Sequence, residues 1–179
     1  MSVNKITFYG FEQFTHIDFM PKIVDFLKLQ SKKRNVSELK KFAELMFSIK
    51  MDFKSHGEKL PECLYCAEKQ NQIIIIELKS VTANSSPIEF VEEMTKIFNP
   101  NMFVILAEAW SLDKEPMNGK RISEHSEKKE CFIVDGRTLE GLAYSQFYSV
   151  EDKNGVKQYT KESVDNDQLS CSYDNPGER

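Results

Sequence analysis

Four residues of this chain, Glu108, Glu124, His125 and Glu130, have the types needed for acid–base or metal chemistry and the spacing to meet. They sit at the two ends of "AEAWSLDKEPMNGKRISEHSEKKECFIV", residues 107 to 134, which also holds the only tryptophan, Trp110. A histidine with two or three carboxylates is a workable ligand set for a divalent metal. Here Glu108, His125 and Glu130 would bind the ion and Glu124 would act as general base, as in a metal-assisted hydrolase. The plainer alternative has Glu108 at a strand end, paired with Arg121, Lys128 or Lys129, and His125 as an exposed loop histidine.

Trp110 allows two uses as well. It can anchor a contact surface together with Arg121, Ser123 and Lys128, or it can close the edge of the core. By strand alternation Val104, Leu106, Glu108 and Trp110 share one face.

Cys63 and Cys66 form a second candidate. A two-residue gap lets both sulfurs reach one zinc and is also the spacing of redox pairs. A closed zinc site needs two further ligands, for which only Cys131, Cys171 and three separated histidines are at hand. In an extended strand, moreover, residues three apart point to opposite faces. Ordinary buried thiols are the alternative. No glycine-rich phosphate loop, serine-nucleophile elbow or metalloprotease helix occurs, so no cofactor is implied beyond a divalent metal.

The elements that must position these residues follow from the hydrophobic pattern. The first 18 residues show no clear period and suggest an irregular or short-strand lead-in. Helical spacing begins at Pro21, with Ile23, Phe26, Leu27 and Gln30, and closes on the basic "KLQSKKR". Asn35 and Glu38 make a capping box for a second helix. Its stripe is Leu39, Phe42, Ala43, Met46, Ile49 and Phe53.

Residues 63 to 80 predict a hairpin whose second strand, "IIIIELKS", is buried on both faces. "SSPIEFVEEMTKIFNP" predicts a third helix, capped by Ser86, started by Pro87 and stopped at Asn99-Pro100. Four strand-like runs follow at 101–110, 130–136, 141–150 and 156–161, with turns expected at Asp135-Gly136 and Asn154-Gly155.

The order α-α-β-β-α-β-β-β-β points to an α+β fold, a mainly antiparallel sheet of five to six strands carrying three helices. With 40% apolar and 29% charged residues, the chain suits a single globular domain over 1–161 followed by a flexible acidic tail over 162–179.

A net charge of −4 argues against duplex nucleic acid as partner. No run approaches the roughly 18 apolar residues of a membrane span, and no export signal precedes the four cysteines. A soluble, cytoplasmic protein with reduced thiols is expected, its partner another protein and a homo-oligomer left open.

"FVILAEAW" followed by "SEHSEKKECFIV" resembles a group of small uncharacterised bacterial and phage proteins. These share an AEAW strand and an S-x-H-x-x-(K/R)-x-E segment. The residues that carry the resemblance are Glu108, Trp110, Ser123, His125, Lys128 and Glu130. Where that group has Pro, Asp and Arg after the histidine, this chain has Ser126, Glu127 and Lys128. The resemblance implies no activity. It implies a phage or mobile-element setting, and because the shared residues are polar loop residues it favours a binding or catalytic role for the 108–130 loop. The leading expectation is a non-catalytic accessory or interaction protein with its contact surface there.

Overall fold

The computed structural model describes residues 5–9, 35–55, 63–78, 87–113, 119–163 and 170–172. The helix expected from Pro21 and the Ser86 cap lie outside them. Eight strands and two helices are found among the described residues: β1 (Lys5–Tyr9), α1 (Val36–Ser55), β2 (Cys63–Lys69), β3 (Gln72–Glu77), α2 (Pro87–Phe98), β4 (Met102–Leu112), β5 (Lys129–Thr138), β6 (Ala143–Lys153), β7 (Val156–Glu162) and β8 (Ser170–Ser172). The fold is α+β, built on one mainly antiparallel sheet that takes in all eight described strands.

Strand order is β1-β3-β2-β4-β5-β6-β7, with β8 paired to β4. β1 runs parallel to β3, whereas β2 with β3, β6 with β7 and β4 with β8 are antiparallel. No helix among the described residues is long and apolar enough to cross a membrane.

The chain divides into two compact units, 1–106 with 135–144, and 107–134 with 145–179. In the first, α1 starts as its sequence dictates. The Asn35 N–H donates to Glu38 Oε2 (3.1 Å) and the Glu38 N–H donates to Asn35 Oδ1 (3.0 Å), a reciprocal capping box that satisfies two otherwise unpaired donors. Leu39, Phe42, Ala43, Met46 and Ile49 are buried along one stripe. Each large side chain so buried contributes roughly 1.5–3 kcal/mol.

The β2–β3 hairpin turns on Gln70 and Asn71, both at positive φ, as a right-twisted two-residue turn requires. Ile73, Ile75 and Ile76 are buried and Ile74 is half-buried, as expected for a strand covered on both faces. α2 lays Phe90, Val91, Met94 and Phe98 against Tyr65, Ile76 and Leu78. It ends where Asn99 adopts φ 45° and donates its N–H to the Thr95 carbonyl, while Lys69 Nζ donates to the freed Phe98 carbonyl (2.7 Å).

Asp135-Gly136 does not form the expected turn. It lies inside β5, and the chain reverses instead at Leu139 to Leu142, where Gly141 takes φ 86°. The cause is tertiary: a Cβ at position 136 would meet Leu39 Cδ1 at 3.0 Å and Val104 Cγ2 at 3.3 Å. Glycine is there because α1 crowds the strand.

In the second unit, Asn154-Gly155 is the expected turn, with φ 58° and 81°, joining β6 to β7. Phe132 is the centre of an aromatic group, its ring 6.3 Å from Tyr148 and 5.9 Å from Tyr159, both edge-on. Ser170–Ser172, within the segment expected to be a flexible tail, forms β8 in register Trp110↔Ser172, Ser111↔Cys171 and Leu112↔Ser170.

Candidate functional site

The residues singled out around the β4–β5 connection fall within the second unit. β4 carries Glu108 and Trp110, and β5 opens with Lys129 and Glu130. The connection between them is fastened at its base. Ser111 Oγ donates to the Lys129 carbonyl (3.3 Å), and Lys129 Nζ forms an ion pair with Asp113.

Further out the chain makes a 3-10 turn over Ile122–Glu124. Ile122 is buried with Trp110 and Leu112, so one apolar side chain ties the turn to the unit's core. Glu124 Oε2 accepts the Arg121 N–H (2.9 Å), which occupies the carboxylate in capping its own turn.

Trp110 is 7% exposed, and Ala107, Ala109, Ser111 and Leu112 around it are buried too. This part of β4 is therefore covered on both faces. The Lys128 ammonium lies over the indole, 4.8 Å from the ring centroid, and also donates to the Ser123 carbonyl. Of the two uses the sequence allows Trp110, its burial matches the core-edge one, with Lys128 over its ring. Arg121 stays exposed, as do Gly119 and Lys120 before it.

Glu130 is paired with a lysine. Its Oε1 pairs with Lys157 Nζ from β7, the two side chains being 23% and 32% exposed. Glu108 also acts on this lysine. Burial disfavours the Lys157 ammonium, but the hydrogen bond to Glu130 and the charges of Glu130 and Glu108 outweigh it, leaving its pKa above the ordinary value. Glu108 thus acts on a lysine from β7, a strand that the spacing did not connect with it.

His125 is half-buried rather than an exposed loop residue. Its N–H donates to the Ile122 carbonyl and its own carbonyl accepts the Lys128 N–H. Its Nε2 is enclosed with no hydrogen-bond partner among the described residues. Among those residues no group of three or more His, Cys, Asp or Glu side chains gathers in a way that could hold a metal ion, so His125 does not join Glu108 and Glu130 as one.

In the first unit, Cys63 is half-buried and Cys66 buried, both as free thiols. Burial pushes the Cys63 thiol up to about 12 and Cys66 higher still, against the opposing effect of the nearby Lys50 ammonium. Neither sulfur is prepared as a thiolate ligand or nucleophile.

Three charged residues that matter here went unremarked in the sequence. Lys50, 3% exposed, falls one helical turn after Met46 on the buried stripe of α1, and that spacing marks it. Lys157 shares the inward face of β7 with Tyr159 by simple alternation. Glu68 is fully buried and holds two loops together. Its side chain accepts the Asn71 N–H (3.3 Å) and Asn101 Nδ2 (3.2 Å), and its carbonyl accepts the Asn101 N–H (2.8 Å). On the Leu64, Cys66, Glu68 face of β2 it is the one charged position, a signal that could have been read.

No protein-family model, no curated protein and no solved structure matches this chain.

Proposed function

We propose that the protein is a non-catalytic interaction module whose contact surface lies on the β4–β5 connection at Gly119 to Glu124, with the exposed Lys120 and Arg121 as its charged contacts. One observation carries this reading. The groups that could do chemistry are engaged in holding the connection in place, while Gly119, Lys120 and Arg121 are presented to solvent. Glu108 and Glu130 act on Lys157, Glu124 caps the turn, and Lys128 bridges Trp110 and Ser123. A turn fixed from behind presents its side chains with little ordering cost, the condition for tight recognition.

Two adjacent cations suit an acidic patch on a partner protein, and arginine is the residue best fitted to carboxylate recognition. The accessory role and the bacterial or phage setting rest on the AEAW resemblance. Of the residues that carry it, Trp110 and Ser123 meet through Lys128, and Glu108 and Glu130 both act on Lys157.

The test is capture of a partner by the full chain and by Arg121→Glu. Charge reversal at an exposed position leaves thermal stability unchanged and abolishes capture. Retention of the same partner by a folded Arg121→Glu protein refutes the reading.

A second reading keeps metal chemistry at His125, although Glu108 and Glu130, expected beside it in a metal-dependent hydrolase, do not gather with it. The enclosed and unpartnered Nε2 of His125 is the observation on its side. A structural zinc on Cys63 and Cys66 is the third, with support from spacing alone. Elemental analysis of the purified protein beside His125→Ala and Cys63→Ala separates all three. Near-stoichiometric metal lost in one variant would select the reading to which that residue belongs.

A further inference from the structure

The last three residues of β4 are paired with β8, a strand of only three residues, Ser170–Ser172. β8 also lies against the 3-10 turn Ile122–Glu124, so it borders the surface assigned to partner contact. It is reached from the end of β7 at Glu162 through residues 163–169. A connection of that length spans at most roughly 25 Å, enough to return to its own β4 or to cross to a neighbouring molecule's.

From this arrangement we infer that the β4 edge at Trp110–Leu112 is a strand-addition site, occupied by the chain's own C-terminal strand and open to the same strand of a second copy. The inference goes beyond the reading of the neighbouring turn as a contact surface.

Three features favour a second copy as the occupant. The segment Ser170–Ser172 is one whose register and fit on this edge the structure displays, and every copy carries it. A slot that accepts the strand from its own chain accepts it equally from another, which is the low-cost route to a dimer by strand exchange.

Charge agrees as well. The sequence around β8 brings Glu162, Asp165, Asp167 and Asp174, while the turn it borders is preceded by the exposed Lys120 and Arg121. Finally, the strand is short and its tether is short. A linker of a few residues sets an effective concentration of at most about millimolar, so exchange between copies competes as protein concentration approaches that range.

Ser111 and Cys171 are direct register partners across the antiparallel pair. Opposed residues in such a pair bring their Cα atoms within the separation a disulfide needs. The full-length Ser111→Cys variant therefore reports which β4 each β8 occupies. When it is oxidised with diamide, two thiols lose two hydrogens to the reagent and join.

At about 5 μM the 111–171 disulfide forms within one chain. Towards about 1 mM, covalent dimers joined by the same 111–171 link rise with concentration, and Cys171→Ser in the same background gives neither product. Exclusively intramolecular linkage at every concentration overturns exchange, and the absence of any 111–171 link overturns the strand assignment itself.

Should the Ser111→Cys protein fail to fold, sedimentation of the wild-type chain serves. It dimerises in the same concentration range, and Cys171→Pro, which removes a strand N–H, stays monomeric. A wild-type chain monomeric throughout contradicts the inference. Neither result bears on the Arg121→Glu capture, so failure of exchange and failure of the contact-surface reading are separately visible.

Discussion

Replacing Lys157 by methionine keeps the length and apolar bulk of the side chain and removes the cation on which Glu130 and Glu108 converge. At an effective dielectric of about 20, unit charges at hydrogen-bond distance attract by roughly 5 kcal/mol. Burial of the ammonium offsets part of this, and residual exposure of 32% for Lys157 and 23% for Glu130 screens more. A net coupling of roughly 1–2 kcal/mol is left.

Lys157→Met should cost somewhat more, roughly 2 kcal/mol, because it also leaves two carboxylates without their cation. For a chain of this size that corresponds to a fall in Tm of roughly 4–8 °C. A double-mutant cycle with Glu130→Gln, followed by chemical denaturation, isolates the pair. The folded pKa of Lys157 is raised above its ordinary 10.5, so the stabilisation is fully present below that value and is lost as pH rises through the folded pKa. The gap between wild type and Lys157→Met should hold steady from about pH 6 to 9 and close above about 10.5. A cost under about 0.3 kcal/mol with additive single changes would refute the view that these carboxylates are structural.

Other perturbations probe the elements that carry the site. Gly136→Ala forces a methyl group against Leu39 and Val104, and overpacking of this kind should cost about 1–3 kcal/mol by denaturant titration. Gln70→Gly relieves a side chain held at φ 49° and should stabilise the β2–β3 hairpin by about 1 kcal/mol; destabilisation would mean that the glutamine side chain makes up for its backbone strain. Cys63 and Cys66, protonated at neutral pH, should resist iodoacetamide at about pH 8 in the native protein and react on unfolding, as mass spectrometry of the labelled peptides would report.

What was legible in the sequence is what depends on neighbours along the chain. Asn35 and Glu38 are three residues apart and cap the same turn, so the start of α1 could be read directly. Asn154-Gly155 names its own turn in the same way. Asp135-Gly136 carries an equally good local signal and misleads, because the selecting force at position 136 is Leu39, almost a hundred residues earlier.

The site was legible to a similar degree. The β4–β5 connection was recognisable as a long polar segment, but nothing local joins Lys157 to Glu130, 27 residues before it, or places Lys128 over Trp110. β8 was hidden for another reason. Ser-Cys-Ser has no strand-like pattern, and it becomes a strand because the end of β4 offers backbone groups to pair with.

The account stands most directly on whether the exposed Lys120–Arg121 pair of the β4–β5 connection is what a partner touches. Capture by the full chain, by Arg121→Glu and by Glu108→Gln, with thermal melts of all three, tests it in one experiment. The account predicts that Arg121→Glu melts like the wild type and captures nothing, while Glu108→Gln loses stability in proportion to its part in the Lys157 cluster and still captures when folded. Undiminished capture by Arg121→Glu, or a bound metal that disappears with Glu108→Gln, would contradict it.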